Sequence, residues 1–247
     1  MRTRRIMKVK YIGHSSFAVF MDEINILFDY YKGELPRFEE DKPLVVFVSH
    51  RHYDHFTRKI FNLADEVKNI CYVISDDIPT DSRMRNLKDK VIMLSANCDR
   101  LIKIGDIELY IHTYESTDEG LAFIADVCKK RLYHAGDLNY WYWEGEPYPW
   151  NEDQEKNYMS GLNLMKELTK KDGKAIDAAF IPLDNRQEDN AYLGIEYFIK
   201  FVGAKHIFPM HFNGSYDITD KLKQRLLQNK MTDNVVKIER EGEEFTL

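Results

Sequence analysis

Ser49-His50-Arg51-His52-Tyr53-Asp54-His55-Phe56 follows directly on the apolar run Leu44-Val45-Val46-Phe47-Val48. The run is short, rich in β-branched residues and free of polar alternation, which reads as a buried strand. The eight residues after it hold three imidazoles and a carboxylate. These groups are ligands for borderline divalent metals such as zinc, and His with Asp also suits manganese or iron. Burying several ionisable groups without partners is costly. A strand end of this kind therefore calls for a metal or a hydrogen-bond network. The bland alternative is a solvated loop, since loops are generally polar.

Three further motifs sit at expected strand ends: Gly13-His14-Ser15-Ser16-Phe17, Tyr133-His134-Ala135-Gly136-Asp137 and Phe208-Pro209-Met210-His211-Phe212. Together with the H-x-H-x-D-H spacing of His50 to His55, their order resembles the metallo-β-lactamase fold superfamily, from about residue 7 to 247. The G-H-S-x-F stretch resembles that of a small branch that includes sugar-phosphate lactonase-like proteins. The resemblance implies an α+β fold, an αββα sandwich of two mixed β-sheets flanked by helices. It also implies site residues. His50 and His52 belong to a first metal, and Asp54 and His55 to a second, with Asp54 also able to hold a water. Asp137 bridges the two, and His211 completes the second site. In two-metal hydrolases the ions stand roughly 3.5–4 Å apart around one activated water.

The sequence departs from that pattern at the third ligand of the first site. The resemblance calls for a histidine just after the strand that precedes 121–126. Counting from Gly105, the equivalent position falls near Glu115 or Ser116, and His112 comes three or four residues early. Either Glu115 takes the role, or His112 does through a shifted register, or the site is incomplete. By strand alternation His112 is equally able to face the other way. The segment Ser116-Thr117-Asp118-Glu119-Gly120 resembles a loop of a minor branch without this histidine. One ion or two therefore remain open. Zinc suits the donor set best, with manganese or iron as alternatives.

The remaining histidines have plainer readings. His14 is either a hydrogen-bond donor to substrate or to a ligand, or a structural histidine. His134, three residues before Asp137, reads as core or as a supporting residue, and His206 as a surface or capping residue.

A chain of 247 residues, 44% of them hydrophobic, is long enough for one sizeable core. One domain spanning 1–247 is expected, with residues 1–6 as an extension without structural importance. The net charge of -6 argues against nonspecific nucleic-acid binding. No apolar run reaches the length of a membrane span, and no signal peptide follows the basic start. Cys71, Cys98 and Cys128 are odd in number and widely spaced, the usage of reduced thiols in a cytoplasmic protein.

Strands are expected at 8–12, 17–21, 24–29, 44–49, 71–74, 91–94, 101–104 and 107–113, then at 121–126, 130–134, 175–181, 206–208 and 235–240. Helices are expected at 57–67, 152–171, 190–202 and 217–227, the third ending on Gly203 as a C-cap.

After Asp137 all three tryptophans follow within a short stretch: Trp141, Trp143 and Trp150. Trp141 and Trp143 suit a pocket wall with an apolar face and a polar tip, or else a hydrophobic plug. Asp184 and Arg186, at another strand end, are candidates for substrate binding. Arg186 offers a bidentate fork for a carboxylate or phosphate, unless a salt bridge to Asp184 or Glu188 occupies it.

The expected function is a metal-dependent hydrolase acting on an ester, lactone, amide or phosphoester bond of a small metabolite. Asp54 is the expected catalytic residue, orienting the nucleophile. The rival readings are a nuclease or phosphodiesterase of the same fold, and a metal-binding non-enzyme with an incomplete first site.

Overall fold

The runs around Ile26 and Val46 lie side by side as parallel strands, and a sheet grows outward from them. The computed structural model describes residues 6–231 and 234–247; the expected extension lies, apart from Ile6, outside them. In chain order the strands are β1 (Lys8–Gly13), β2 (Ser16–Phe20), β3 (Asn25–Phe28), β4 (Leu44–Val48), β5 (Ile70–Ser75), β6 (Val91–Leu94), β7 (Asp99–Ile104), β8 (Ile107–Glu115), β9 (Leu121–Val127), β10 (Lys130–His134), β11 (Ala178–Pro182), β12 (His206–Met210) and β13 (Glu244–Thr246). The helices are α1 (Ser82–Asn86), α2 (Trp150–Asp172), α3 (Leu193–Phe201) and α4 (Asp217–Gln228).

Two mixed sheets result. The first runs β13-β1-β2-β3-β4-β5-β6 and the second β12-β11-β10-β9-β8-β7. β3 to β6 are mutually parallel, as are β10 to β12, and the other pairings are antiparallel. β4 explains its own sequence. Val45 and Phe47 belong to the core shared with the second sheet, whereas Leu44, Val46 and Val48 belong to a cluster on the opposite face. A strand buried on both faces has no reason to alternate. Phe47 against Phe123 and Phe28 against Phe180 join the sheets. On the far side of the second sheet Tyr133 stacks on Phe198 of α3. The layers are those of the expected αββα sandwich.

Several local expectations are corrected. The helix expected at 57–67 is a 3₁₀ run, Arg58–Asp65, and the one expected from 190 opens as a 3₁₀ run at Asn185–Tyr192 before α3. The strand expected at 235–240 reduces to a single bridge, Val235 to Ile207. There the Thr219 hydroxyl donates to the Ile238 carbonyl and accepts from its N–H, replacing a ladder. The closing strand is β13, paired with β1. α1 was not expected from sequence; the Asp81 carboxylate caps it by accepting from the Met84 N–H at 2.8 Å. Among the described residues no helix is long and apolar enough to cross a membrane.

Candidate metal centre

Parallel strands bring their C-terminal ends to one edge, and ligand sites form outside such ends. Here Asp29 follows β3, Ser49 to His55 follow β4, Asp137 follows β10, Asp184 follows β11 and His211 follows β12. The turn between β1 and β2 adds His14, and the loop after β8 adds Asp118.

The loop after β4 is shaped by a turn in which the His55 and Phe56 N–H groups donate to the His52 carbonyl. This sets the His50 and His55 rings 4.1 Å apart. Two glycines let neighbouring chains approach. Gly120 has φ +71°, and a Cβ there would stand 2.1 Å from the Ser49 carbonyl oxygen; Gly136 has φ +52°, and its Cβ would stand 2.6 Å from the Leu121 oxygen. Three residues with side chains at the same edge also occupy the left-handed region: His14 (φ 51°), Asp29 (φ 42°) and His211 (φ 71°). Such backbone is uncommon outside glycine and gathers at functional sites.

Asp137 stands at the centre. Its Oδ1 lies 3.2 Å from His55 Nε2 and 3.4 Å from His211 Nε2, and its Oδ2 lies 3.4 Å from His50 Nε2. The opposite nitrogen of each ring is already engaged. His55 Nδ1 donates to Asp29 Oδ2 at 2.8 Å, and His211 Nδ1 donates to Asp184 Oδ2 at 2.9 Å. Ser49 Oγ, whose single proton goes to Asp29 Oδ2 at 2.5 Å, accepts from His50 Nδ1 at 2.9 Å. A carboxylate or hydroxyl behind each imidazole holds Nδ1 and turns Nε2 toward Asp137, and His50 Nε2 also lies 3.1 Å from His52 Nδ1. His14 Nε2, His55 Nε2 and Asp137 Oδ1 are buried without a hydrogen-bond partner; the His55–Asp137 contact is close but misdirected. Buried polar atoms are otherwise almost always paired. Unpartnered ligand atoms gathered this closely fit a cation between them.

The groups fall into sets. His14, Asp54, His55 and His211 offer atoms within 4.8 Å of one another, as do His50, His55 and Asp137, and likewise His52, Asp118 and Asp137. The six residues His50, His52, Asp54, His55, Asp137 and His211 thus meet at one edge of the sandwich, although they span most of the chain.

Charge follows the geometry. Burial alone would push the His55 imidazole down, but Asp137 and Asp29 on either side lift it to about 10. Burial opposes ionisation of Asp137 and Asp54, yet the histidines around the first, and His14 and His55 beside the second, hold both carboxyls well below the usual range. Asp118 is pushed up by burial and by Asp137. His14 is pushed down by burial and by the neighbouring His211 and His55, against the pull of Asp54.

Several sequence expectations are corrected here. His112 is committed to Asp99, Nδ1 to Oδ1 at 2.7 Å. Glu115 is exposed and lines a separate groove with Asn97, Tyr114 and Asn157. Asp118, on the loop that folds back through Gly120 onto Ser49, is the carboxylate that groups with His52 and Asp137. Asp184 is fully buried and holds His211 and Arg186, so it does not face a substrate. Asp29 escaped attention in the sequence. Its only signal was a lone carboxylate ending an apolar run.

Beside Asp137 a cavity of about 250 Å³ is lined by Thr117, Asp118, Trp141, Trp143, Trp150, Gln154, Arg186 and His211. The Trp141 indole N–H donates to the Asp137 carbonyl at 2.9 Å, and its ring lies parallel to Trp143 at 6.3 Å. The Arg186 side chain grips Asp184 but remains 59% exposed. Buried His14 is absent from this lining.

The chain is similar to several known proteins. A UPF0173 metal-dependent hydrolase of Alkaliphilus metalliredigens is 25% identical over 221 residues, covering 84% of this chain and 86% of the relative. One from Symbiobacterium thermophilum is 23% identical, covering 83% of this chain and 84% of the relative. Among solved structures, Igni18, described as a metallo hydrolase from Ignicoccus hospitalis, superposes with a TM-score of 0.66 at 19% identity over 98% of both chains. CmlA of Streptomyces venezuelae, described as a diiron β-hydroxylase, gives 0.60 at 11% identity, over all of this chain and 54% of that one. The model of the β-lactamase superfamily domain matches residues 8–142, more than half of the 247 residues, and the chain belongs to that family.

Proposed function

We propose that this chain is a metal-dependent hydrolase of a small metabolite, with its metal positions on the two sides of Asp137. The observation that carries the reading is the set of three imidazoles, His50, His55 and His211, each fixed from behind at Nδ1 by a carboxylate or hydroxyl and each with Nε2 within 3.4 Å of an Asp137 oxygen. The relatives named metal-dependent hydrolases support it. His50, His52 and Asp118 would hold one ion and Asp54, His55 and His211 the other, with Asp137 shared. Each set offers two imidazoles and one carboxylate beside the shared Asp137, donors that suit zinc and also manganese or iron.

A divalent ion at this place supplies an activated water and Lewis-acid polarisation of the scissile bond. The chain's own groups do the rest. Asp54, held ionised and weakly basic, orients a water by accepting its hydrogen bond rather than by taking its proton. Trp141 and Trp143 offer an apolar wall to a ring or hydrocarbon portion of the substrate. Arg186 presents its free N–H edge to an anionic or carbonyl portion. The cavity lies just below the range of about 300–1,000 Å³ typical of ligand pockets, which favours a small substrate. An ester, lactone, amide or phosphoester of such a metabolite is the expected target.

The test is to strip the protein with a chelator, reload it with zinc, manganese or iron, and assay a panel of lactones, esters, amides and phosphoesters. Hydrolysis should vanish on stripping and return with metal in proportion to occupancy. Turnover that survives complete stripping would overturn the reading.

A further inference from the structure

We infer that His14 binds metal at the position formed by Asp54, His55, Asp137 and His211, closing that position with five protein groups. The inference rests on the metal-dependent reading of the same site. It makes the two positions unequal: one enclosed by protein, the other open to water and substrate.

His14 lies in the turn between β1 and β2, far in sequence from the histidine-rich loop. Its side chain is 6% exposed, and Nε2 stands 3.4 Å from Asp54 Oδ2. That nitrogen is buried and has no hydrogen-bond partner. The ring centroid is 4.0 Å from that of His211 and 5.6 Å from that of His55. Its donor atom lies within 4.8 Å of those of Asp54, His55 and His211. Two nitrogens bound to one zinc at about 2.1 Å stand at most about 4.2 Å apart, so a small side-chain adjustment brings all four into one shell.

The simpler roles fit less well. A substrate-binding histidine should face the cavity, but the lining there is His211, Trp141 and their neighbours, without His14. A structural histidine should have its buried nitrogen satisfied, and this one does not. The backbone is held at φ +51°, and the His211 N–H donates to the His14 carbonyl at 3.2 Å. Two left-handed histidines are thus tied together with their rings side by side. Such backbone costs free energy and persists where the surroundings impose it.

The other position contrasts with this. The His52 side chain is 39% exposed, and Asp118 lines the cavity. Catalytic sites keep three protein ligands and an open place, whereas closed sites fill every place with protein. Five groups on one side and an exposed set on the other therefore assign tight retention to the His14 side and substrate access to the His52 side.

The test uses the full chain with cobalt as the probe, in wild type, His14→Gly and His14→Asn. Glycine removes the ring and accepts the backbone, and asparagine tolerates the left-handed region. Circular dichroism confirms folding; were the glycine variant to unfold, the asparagine variant carries the spectral comparison. The first equivalent of cobalt should bind both variants more weakly, by more than the roughly 10–100-fold that loss of an orienting partner costs. Its visible absorption spectrum should change in both, and free imidazole should restore the wild-type spectrum in His14→Gly. An unchanged first-equivalent spectrum in the folded variants would overturn the assignment and leave His14 as a positioning residue for Asp54. In Asp137→Ala, first-equivalent binding as tight as in wild type would instead sink the metal-centre reading itself.

Discussion

Asp29 and His55 meet at 2.8 Å, Oδ2 to Nδ1, with both side chains fully buried. The same carboxylate accepts from the Ser49 N–H at 2.7 Å and from the Ser49 hydroxyl. One buried Asp thus orients His55 directly and His50 through Ser49. Asp29→Asn replaces an acceptor-only group with one that carries a donor, and every neighbour already donates to it. Affinity for zinc should fall by about 10–100-fold, the usual effect of losing an orienting partner behind a ligand. Competition titration with a chromophoric chelator measures this directly, and unchanged affinity would refute the role of Asp29.

His55 makes the metal-free protein sensitive to pH. Burial lowers its affinity for protons, but Asp137 and Asp29 outweigh burial and lift the pKa to about 10. The folded value lies above the unfolded value of about 6.5. The resulting stabilisation is complete below about pH 6.5 and is lost as pH rises toward 10. The metal-free protein should therefore melt at progressively lower temperature from pH 7 to 10. A metal must displace that proton, so its apparent affinity should rise over the same window, by up to ~tenfold per pH unit. Calorimetry in buffers of different ionisation enthalpy should register close to one proton released near pH 8. No proton release there would contradict the raised pKa.

What the sequence disclosed depended on whether the signal was contiguous. His50 to His55 lie in one short run after a β-branched strand, and their residue types speak for themselves. Asp137 and His211 became legible through resemblance, each in a strand-end motif. Asp29 and Asp118 did not, because a single carboxylate near a strand end carries no spacing. Ser49 and His55, the partners of Asp29, lie on the loop after the neighbouring strand β4, and Asp118 meets His52 through a loop that folds back at Gly120. Counting along β8 pointed to Glu115 and His112, since a strand count cannot foresee where the following loop turns. The strands were readable from their apolar runs. The 3₁₀ character of Arg58–Asp65 and the three-residue β13 were not, as tertiary packing decides such short pieces.

Gly120 is the position where the first sheet's loop and the second sheet's loop touch. A Cβ there would stand 2.1 Å from the Ser49 oxygen and 2.4 Å from His50 Cβ, at φ +71°. Gly145, at φ +86°, has nothing within 4 Å of its Cβ position. Gly145→Ala should therefore cost only the left-handed backbone term, roughly 1–2 kcal/mol. Gly120→Ala should cost more and should also displace His50, lowering bound metal in the folded fraction. Thermal melts and elemental analysis of the two variants compare these effects. Equal losses of metal would show that the close approach at Gly120 does not position the site.

Asp137 and His134 are three residues apart and should behave in opposite ways. Both His134 nitrogens are engaged: Nε2 donates to the Ser15 carbonyl at 2.9 Å, and Nδ1 accepts from the Gly136 N–H at 3.1 Å. Its ring lies stacked on Phe28, with centroids 4.9 Å apart. Nothing is left over for a metal. His134→Ala should cost stability, by about 1–3 kcal/mol, through lost packing and two buried groups left unpaired. The folded fraction should still carry metal. Asp137→Ala removes the carboxylate that faces His50, His55 and His211 together. Three imidazoles then crowd a pocket without its central anion, and bound metal should drop at both positions. Elemental analysis of folded protein after identical dialysis separates the two variants. Equal metal loss would mean that His134 supports the centre as directly as Asp137, against the geometry of its two hydrogen bonds.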